Sequence, residues 1–130
     1  MAGTFTEITL IDAPSSAVAG EQVAVSIIIK NLYTDTIHVS CVGVLDSVDR
    51  FIDWKDFWIP AGYTHLFAGS FTMPDRDVTI HGYSYYEGVD GNWHSDDEAS
   101  KDVSLGEVIK GTITKKELEY DSTRSPIPVY

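Results

Sequence analysis

The stretch EQVAVSIIIKN, residues 21–31, has the clearest two-residue alternation of apolar side chains in the sequence. On an extended strand, side chains two residues apart lie on the same face. Four β-branched side chains would therefore share one face of this strand: Val23, Val25, Ile27 and Ile29. Because β-branched residues favour a pleated, half-buried surface, the stretch predicts a strand that packs one whole face into a core.

Shorter alternating runs occur on both sides of this stretch and are separated by Gly, Pro, Asp and Asn. They predict further strands at residues 4–11, 34–46, 63–73, 77–88 and 91–105. The segment RFIDWKDFWIPAG, residues 50–62, loses the alternation, which indicates an irregular, aromatic-rich crossover with room for one short strand. Apolar residues at helical spacing, together with a helix cap, do not occur.

About seven short strands without a helix predict an all-β fold, a two-sheet immunoglobulin-like sandwich. A jelly roll is the structural alternative. The connections MPDRD, residues 73–77, and GVDG, residues 88–91, have the length that hairpins use. In the second of these, Asp90-Gly91 suits a positive φ.

Composition and charge exclude several classes of function. The net charge of −11 argues against a nucleic-acid partner, because phosphate contacts need clustered Lys and Arg. No apolar run approaches the length of about 18 residues that a membrane span needs, and the start MAGTFTEITL lacks the pattern of a secretory signal. Cys41 is the only cysteine, and we expect it to be a small buried hydrophobe.

The acidic segment 87–102 contains four candidates for a calcium site: Asp90, Asp96, Asp97 and Glu98. Hard cations prefer several oxygen ligands, although the same acids would also protect an edge strand from aggregation. The four histidines fall in different predicted strands without a metal-binding spacing, so no zinc site is predicted. No nucleophile with a recognisable base and no phosphate loop occurs, so we expect a non-enzymatic protein without cofactors.

Three tryptophans are candidates for a ligand-binding surface: Trp54, Trp58 and Trp93. Exposed aromatic rings on a sandwich can stack on sugar rings or anchor a protein interface. The structural alternative is that Trp54 or Trp58 covers the open end of the sandwich. Tyr83 and Tyr85 share one face of their predicted strand, and that face suits packing and an interface equally well.

Residues 71–105 combine an FTMP turn, a DVTI strand, a YSYY segment and a short hairpin that leads to a VSL strand. This pattern resembles immunoglobulin-like, fibronectin-type-like modules strung in tandem in structural proteins of tailed phages and archaeal viruses and in prokaryotic surface proteins. The stretch APSSAVAGEQVAVSIIIKN, residues 13–31, is similar to the opening of cell-adhesion-related bacterial sandwich domains. The resemblance implies a sandwich without catalytic residues.

The segment GTITKKELEYD, residues 111–121, repeats the pattern of GTFTEITLID, residues 3–12. We therefore predict a sandwich over 1–105 and, over 106–130, an extended C-terminal arm or the start of a following module. The first part carries the entire net charge of −11 and the arm is neutral, so the arm of one copy can lie on another copy without repulsion. Its unpaired backbone groups would add a strand to a neighbour. The expected interface residues are Ile109, Ile113, Lys115, Lys116, Leu118 and Tyr120.

The expected function is that of a structural subunit that joins copies of itself or other structural subunits into a repeating assembly through this arm. A virion protein (capsid decoration, tail or fibre) is the first expectation, and the virion is then its location. The alternative is an extracellular or cell-surface adhesion module that binds carbohydrate or protein through Trp54, Trp58 and Trp93.

Overall fold

The computed structural model describes residues 2–107, and the regular structure of this part consists of β-strands. In chain order the strands are β1 (Thr6–Asp12), β2 (Ser16–Ala17), β3 (Gln22–Asn31), β4 (Ile37–Leu45), β5 (Asp49–Ile59), β6 (Thr64–Thr72), β7 (Val78–Glu87) and β8 (Trp93–Leu105). Within this range there is no helix with the length and apolarity needed to cross a membrane.

The strands form two sheets. The first contains three strands in the order β1-β3-β6, and the second contains five in the order β2-β8-β7-β4-β5. Neighbours are antiparallel, except that the two residues of β2 run parallel to the end of β8. The prediction of an all-β, two-sheet immunoglobulin-like sandwich is confirmed, with β2 as an additional two-residue strand.

The core lies between the sheets and is built from alternating side chains. The four β-branched side chains predicted to face the core from β3 are each at most 2% exposed: Val23, Val25, Ile27 and Ile29. They pack with fully buried residues of the five-stranded sheet, among them Val39, Ile80 and Val103. Burying a side chain of this size stabilises a fold by about 1.5–3 kcal/mol, so the alternation in residues 21–31 is the main determinant of the sandwich.

Cys41 belongs to this core, as predicted, and is fully buried on β4. Burial raises the pKa of its thiol to about 12, because desolvation disfavours the thiolate, while the charge of Lys55 opposes this shift. The thiol therefore stays protonated at neutral pH and behaves as a small apolar side chain.

The prediction of an irregular crossover at 50–62 is wrong, because β5 is an eleven-residue strand. Ile52 and Ile59 are both fully buried, although residues seven apart lie on opposite faces of a regular strand. A β-bulge resolves this conflict, since the pairing with β4 shifts by one residue between Ile52 and Lys55. The bulge interrupts the alternation, so a search of the sequence for a two-residue period does not find this strand.

The two predicted connections differ in what they join. Residues 73–77 link β6 to β7, which belong to different sheets, so the expectation of a hairpin there is wrong. Residues 88–91 do form the hairpin between β7 and β8, with a hydrogen bond of 2.9 Å from the Gly88 N–H to the Asn92 carbonyl. Gly91 has a φ of 78°, which confirms the predicted positive φ at this turn.

Candidate functional site

The register of the five-stranded sheet brings all three tryptophans to its outer face. Trp58 on β5 pairs with His38 on β4, and Trp93 on β8 pairs with Glu87 on β7. The ring centroid of Trp54, also on β5, lies 5.0 Å from that of Trp93 in an edge-to-face arrangement. We call these three residues, Trp54, Trp58 and Trp93, the tryptophan surface.

The bulge in β5 directs Trp54 toward this face. Its backbone has a φ of 58°, in the left-handed region that residues with a side chain rarely adopt. The additional residue changes the parity of the strand, so Ile52 points into the core while Trp54, two positions later, points outward. The indole also packs against Tyr85 of β7, with 4.9 Å between ring centroids.

His38 lies at the centre of the tryptophan surface and contacts two of its rings. Its imidazole stacks on the indole of Trp58, with 4.3 Å between centroids and 8° between planes. The ring of Trp93 lies 4.8 Å away at an angle of 59°. These contacts leave the His38 side chain only 17% exposed, so the position of the imidazole and the positions of both indoles depend on one another.

Two carboxylates hold the imidazole from neighbouring strands. Nε2 of His38 lies 2.6 Å from Oδ2 of Asp56 on β5, and Nδ1 lies 3.0 Å from Oε1 of Glu87 on β7. Burial lowers the pKa of His38, but the hydrogen bonds and charges of Asp56 and Glu87 outweigh it, so the pKa is raised above its ordinary value of 6.5. Within residues 2–107, the second oxygen of each carboxylate accepts no hydrogen bond.

The tryptophan surface is open to solvent. Trp58 is 59% exposed and Trp54 is 38% exposed, whereas Trp93 is half-buried. The alternative prediction, that Trp54 or Trp58 covers the open end of the sandwich, is wrong, because both rings lie on the outer face of one sheet. Exposed indole rings beside carboxylate acceptors form a surface that can stack on an apolar ring face and bind hydroxyl groups at its edge.

A cavity of about 430 Å³ adjoins the tryptophan surface at one end of the sandwich. Its lining includes the rings of Phe5, Tyr33 and Tyr86, and the centroids of Phe5 and Tyr86 are 4.7 Å apart. Glu87 lines the cavity and also binds His38. The cavity therefore offers a second apolar contact area next to the tryptophan surface.

Two of the calcium candidates, Asp96 and Asp97, bind the backbone of β1 and the residues before it. The carboxylate of Asp96 accepts hydrogen bonds from the backbone N–H groups of residues 4, 5 and 6 at 2.6–3.0 Å, and from the Thr6 hydroxyl at 2.6 Å. Asp97 accepts one from the Ile8 N–H at 2.8 Å. These carboxylates connect β1 of one sheet to β8 of the other.

The other two candidates have different surroundings. Asp90 pairs with His94 at 3.1 Å within the β7–β8 hairpin, and Glu98 is exposed. In residues 2–107, no group of three or more His, Cys, Asp or Glu side chains is placed to hold a metal ion. The structure thus does not bring the four calcium candidates together.

Sequence reasoning identified the three tryptophans but missed the residues between them. His38 and Val39 are neighbours on β4, so their side chains lie on opposite faces of the sheet, with Val39 buried and His38 on the outer face. The contacts of His38 to Asp56 and Glu87, however, span 18 and 49 residues of sequence, and only the order of strands in the sheet creates them. The predicted interface residues all lie outside the described part of the chain: Ile109, Ile113, Lys115, Lys116, Leu118 and Tyr120.

Comparison with known proteins identifies structural relatives only. No protein-family model and no curated protein matches this chain. The CARDB domain of a Pyrococcus furiosus protein, solved in complex with di-metal ions, has a TM-score of 0.60 at 12% identity, over 82% of this chain and 93% of that domain. A β-glucosidase from Listeria innocua in complex with glucose has a TM-score of 0.49 at 14% identity, over 80% of this chain and 16% of the enzyme. A solution structure from Arabidopsis thaliana has a TM-score of 0.44 at 8% identity, over 83% and 85% of the two chains.

The CARDB likeness extends over nearly the whole described sandwich. The CARDB domain has an immunoglobulin-like fold. The likeness therefore supports the expected immunoglobulin-like fold, and at 12% identity it shows the fold alone.

Proposed function

We propose that this domain is a non-enzymatic adhesion module that binds carbohydrate through the tryptophan surface. The observation that carries the proposal is the gathering of Trp54, Trp58 and Trp93 on one exposed sheet face, around His38. These are the only three tryptophans of the sequence. Large exposed rings are costly to leave in water, and their concentration on one face is typical of a binding surface.

The chemistry of the surface suits an uncharged sugar. A pyranose ring has an apolar C–H face, which stacks on an indole, and a rim of hydroxyl groups, which donate to carboxylates. The second oxygens of Asp56 and Glu87 are available for such hydroxyls. The same two carboxylates, on a chain with a net charge of −11, would repel an anionic ligand.

The proposal is tested by affinity electrophoresis in soluble β-glucan, xylan and mannan, together with a glycan array. We expect Trp58→Ala and Trp93→Ala to weaken binding by about tenfold each, because a stacked ring contributes about 0.5–1.5 kcal/mol beyond its buried area. Tyr63→Ala is the matched control. Tyr63 is 66% exposed in the turn between β5 and β6 and has no ring contact within the described residues.

Two results would contradict the proposal. One is that no glycan binds to the folded protein. The other is that a glycan binds and the Trp58→Ala and Trp93→Ala variants retain full affinity, which would place the ligand elsewhere. If the domain binds a protein ligand and no glycan, the result would favour an adhesion module whose tryptophan surface recognises protein.

The second candidate function is the structural subunit of a repeating assembly, with a virion protein as the first choice. The supporting observation is that the buried core of the described sandwich includes Val103 and that β8 ends at Leu105. Residues 106–130 follow these core residues and carry no net charge. Deletion of 106–130 should therefore prevent assembly, and the mass measured by light scattering should fall from that of an assembly to that of a single chain. If the shortened protein assembles as the full chain does, the C-terminal arm has no such role.

A further inference from the structure

His38 connects two of the three rings of the tryptophan surface to two carboxylates. Its two ring nitrogens bind carboxylates on two different strands, and its two neighbouring indoles also come from two different strands. Trp58 and Asp56 lie on β5, Glu87 on β7 and Trp93 on β8. A change in the protonation or position of the imidazole therefore affects its contacts with three other strands at once.

The two hydrogen bonds of His38 require two protons. With both nitrogens protonated, the ring donates to Asp56 at 2.6 Å and to Glu87 at 3.0 Å. With one proton removed, one nitrogen presents a lone pair to a carboxylate oxygen at the same distance, and both atoms are then acceptors. That contact is repulsive, so the neutral ring cannot keep both bonds and has to move away from one carboxylate.

We infer that His38 is the positioning residue of the tryptophan surface and that carbohydrate binding is strongest when its imidazole carries both protons. Loss of one proton releases either Asp56 or Glu87 and shifts the ring against which Trp58 stacks. The inference rests on the proposed function for its ligand. The positioning itself is a property of the free protein and is measurable without any ligand.

The two charged groups that face His38, the carboxylates of Asp56 and Glu87, both favour the charged ring. β5 contributes Asp56 and β7 contributes Glu87, whereas β8 contributes the uncharged ring of Trp93. Beyond Glu87, the pair of Asp90 and His94 lies in the adjoining hairpin, where His94 stacks on Tyr86 and not on a tryptophan. Within the described residues, His94 is therefore a nearby histidine whose ring stacks on a tyrosine and on no tryptophan.

The direction of the pH dependence follows from the raised pKa of His38. A raised pKa means that the folded surface favours the protonated ring, so the ordered arrangement is fully present below the ordinary value of 6.5. It is lost as the pH rises through the pKa of the folded protein. Binding should therefore weaken from mildly acidic to alkaline pH.

The first experiment needs no ligand. Tryptophan fluorescence is recorded between pH 5 and pH 9, since a protonated imidazole quenches a stacked indole more strongly than a neutral one. The wild type should show a transition centred above 6.5. His38→Gln should abolish it, and His94→Gln should leave it unchanged. Asp56→Asn and Glu87→Gln should move its midpoint to lower pH, because each removes a carboxylate partner.

The second experiment measures affinity for the best-binding polysaccharide of the electrophoresis panel over the same pH range. Wild-type affinity should fall by about tenfold, a factor typical of coupled sites, and His38→Gln should bind weakly and without pH dependence. A fluorescence transition that persists in His38→Gln would overturn the inference, as would wild-type affinity that is constant with pH. If no polysaccharide binds, the proposed function fails, and the ligand-free titration still decides whether His38 positions the indoles.

Discussion

Trp54 has a backbone conformation that residues with a side chain rarely adopt. Its φ of 58° places a large side chain in the left-handed region, which costs L-residues about 1–2 kcal/mol. Other described non-glycine residues avoid this region, apart from Asp46 in the turn between β4 and β5. Strain of this kind persists where the surrounding structure enforces it and often marks a functional position. Here the strained backbone directs the Trp54 indole to the outer face of the five-stranded sheet, beside Trp93.

The strain at Trp54 predicts an unusual order of stability between two variants. Trp54→Gly and Trp54→Ala both remove the indole, but only glycine adopts a φ of 58° without cost. We expect Trp54→Gly to be more stable than Trp54→Ala by about 1 kcal/mol, measured by thermal or chemical unfolding. A matched pair at Trp58, where the backbone is extended, should show the opposite order, because glycine weakens a regular strand. Equal stability of the two Trp54 variants would show that the backbone there is unstrained.

Individual residues could be predicted from the sequence only where local patterns determine them. Burial of Cys41 followed from its being a lone cysteine, which behaves as a small hydrophobe, and the positive φ of Gly91 followed from the Asp-Gly pair. The left-handed conformation of Trp54 could not be predicted, because it results from the need to bury both Ile52 and Ile59.

Strand β1 depends on side chains of β8 for contacts that backbone pairing does not supply. It pairs with β3 on one side. On the side of the five-stranded sheet, the Asp96 carboxylate binds three backbone N–H groups and the hydroxyl of Thr6. A register shift between Tyr83 and Tyr85 marks the bulge in β8 that allows Asp96 and its neighbour Asp97 to reach β1 together. Two of the four acids that resemble a cation site in the sequence, Asp96 and Asp97, therefore bind backbone N–H groups at the start of the fold.

Removing the Asp96 carboxylate should destabilise the domain. Asp96→Ala leaves several N–H groups and a hydroxyl without their acceptor, and we expect a loss of about 2 kcal/mol in the free energy of unfolding. Glu98→Ala is the control, because Glu98 is exposed on the same strand. Urea unfolding measures both values. If the two variants are equally stable, the bonds between Asp96 and β1 contribute nothing.

The sequence predicts strands well where the side-chain period is regular and poorly where a bulge interrupts it. β3, β6 and β7 lie within one residue of the predicted boundaries. β5 was missed because its bulge breaks the alternation between Ile52 and Lys55. The link at 73–77 was misread because its length suits either a hairpin or a connection between sheets.

For the whole molecule, the fold class could be derived from the sequence, and the tryptophan surface only in part. Strand number and turn spacing are sufficient for a two-sheet sandwich. The tryptophan surface also requires the order β8-β7-β4-β5, which places His38 between two carboxylates. Alternation tells which face a residue occupies, but it does not tell which strands are neighbours.

The central claim is that the tryptophan surface binds carbohydrate. It is tested most directly by a ¹H–¹⁵N NMR spectrum, in which each of the three tryptophans gives one indole N–H signal. On titration with the best-binding glycan, all three indole signals should shift with one common dissociation constant. The backbone amide of Leu66, an exposed residue of β6 in the other sheet, should stay in place. Shifts confined to other residues, with the three indole signals unchanged at saturating glycan, would contradict the account.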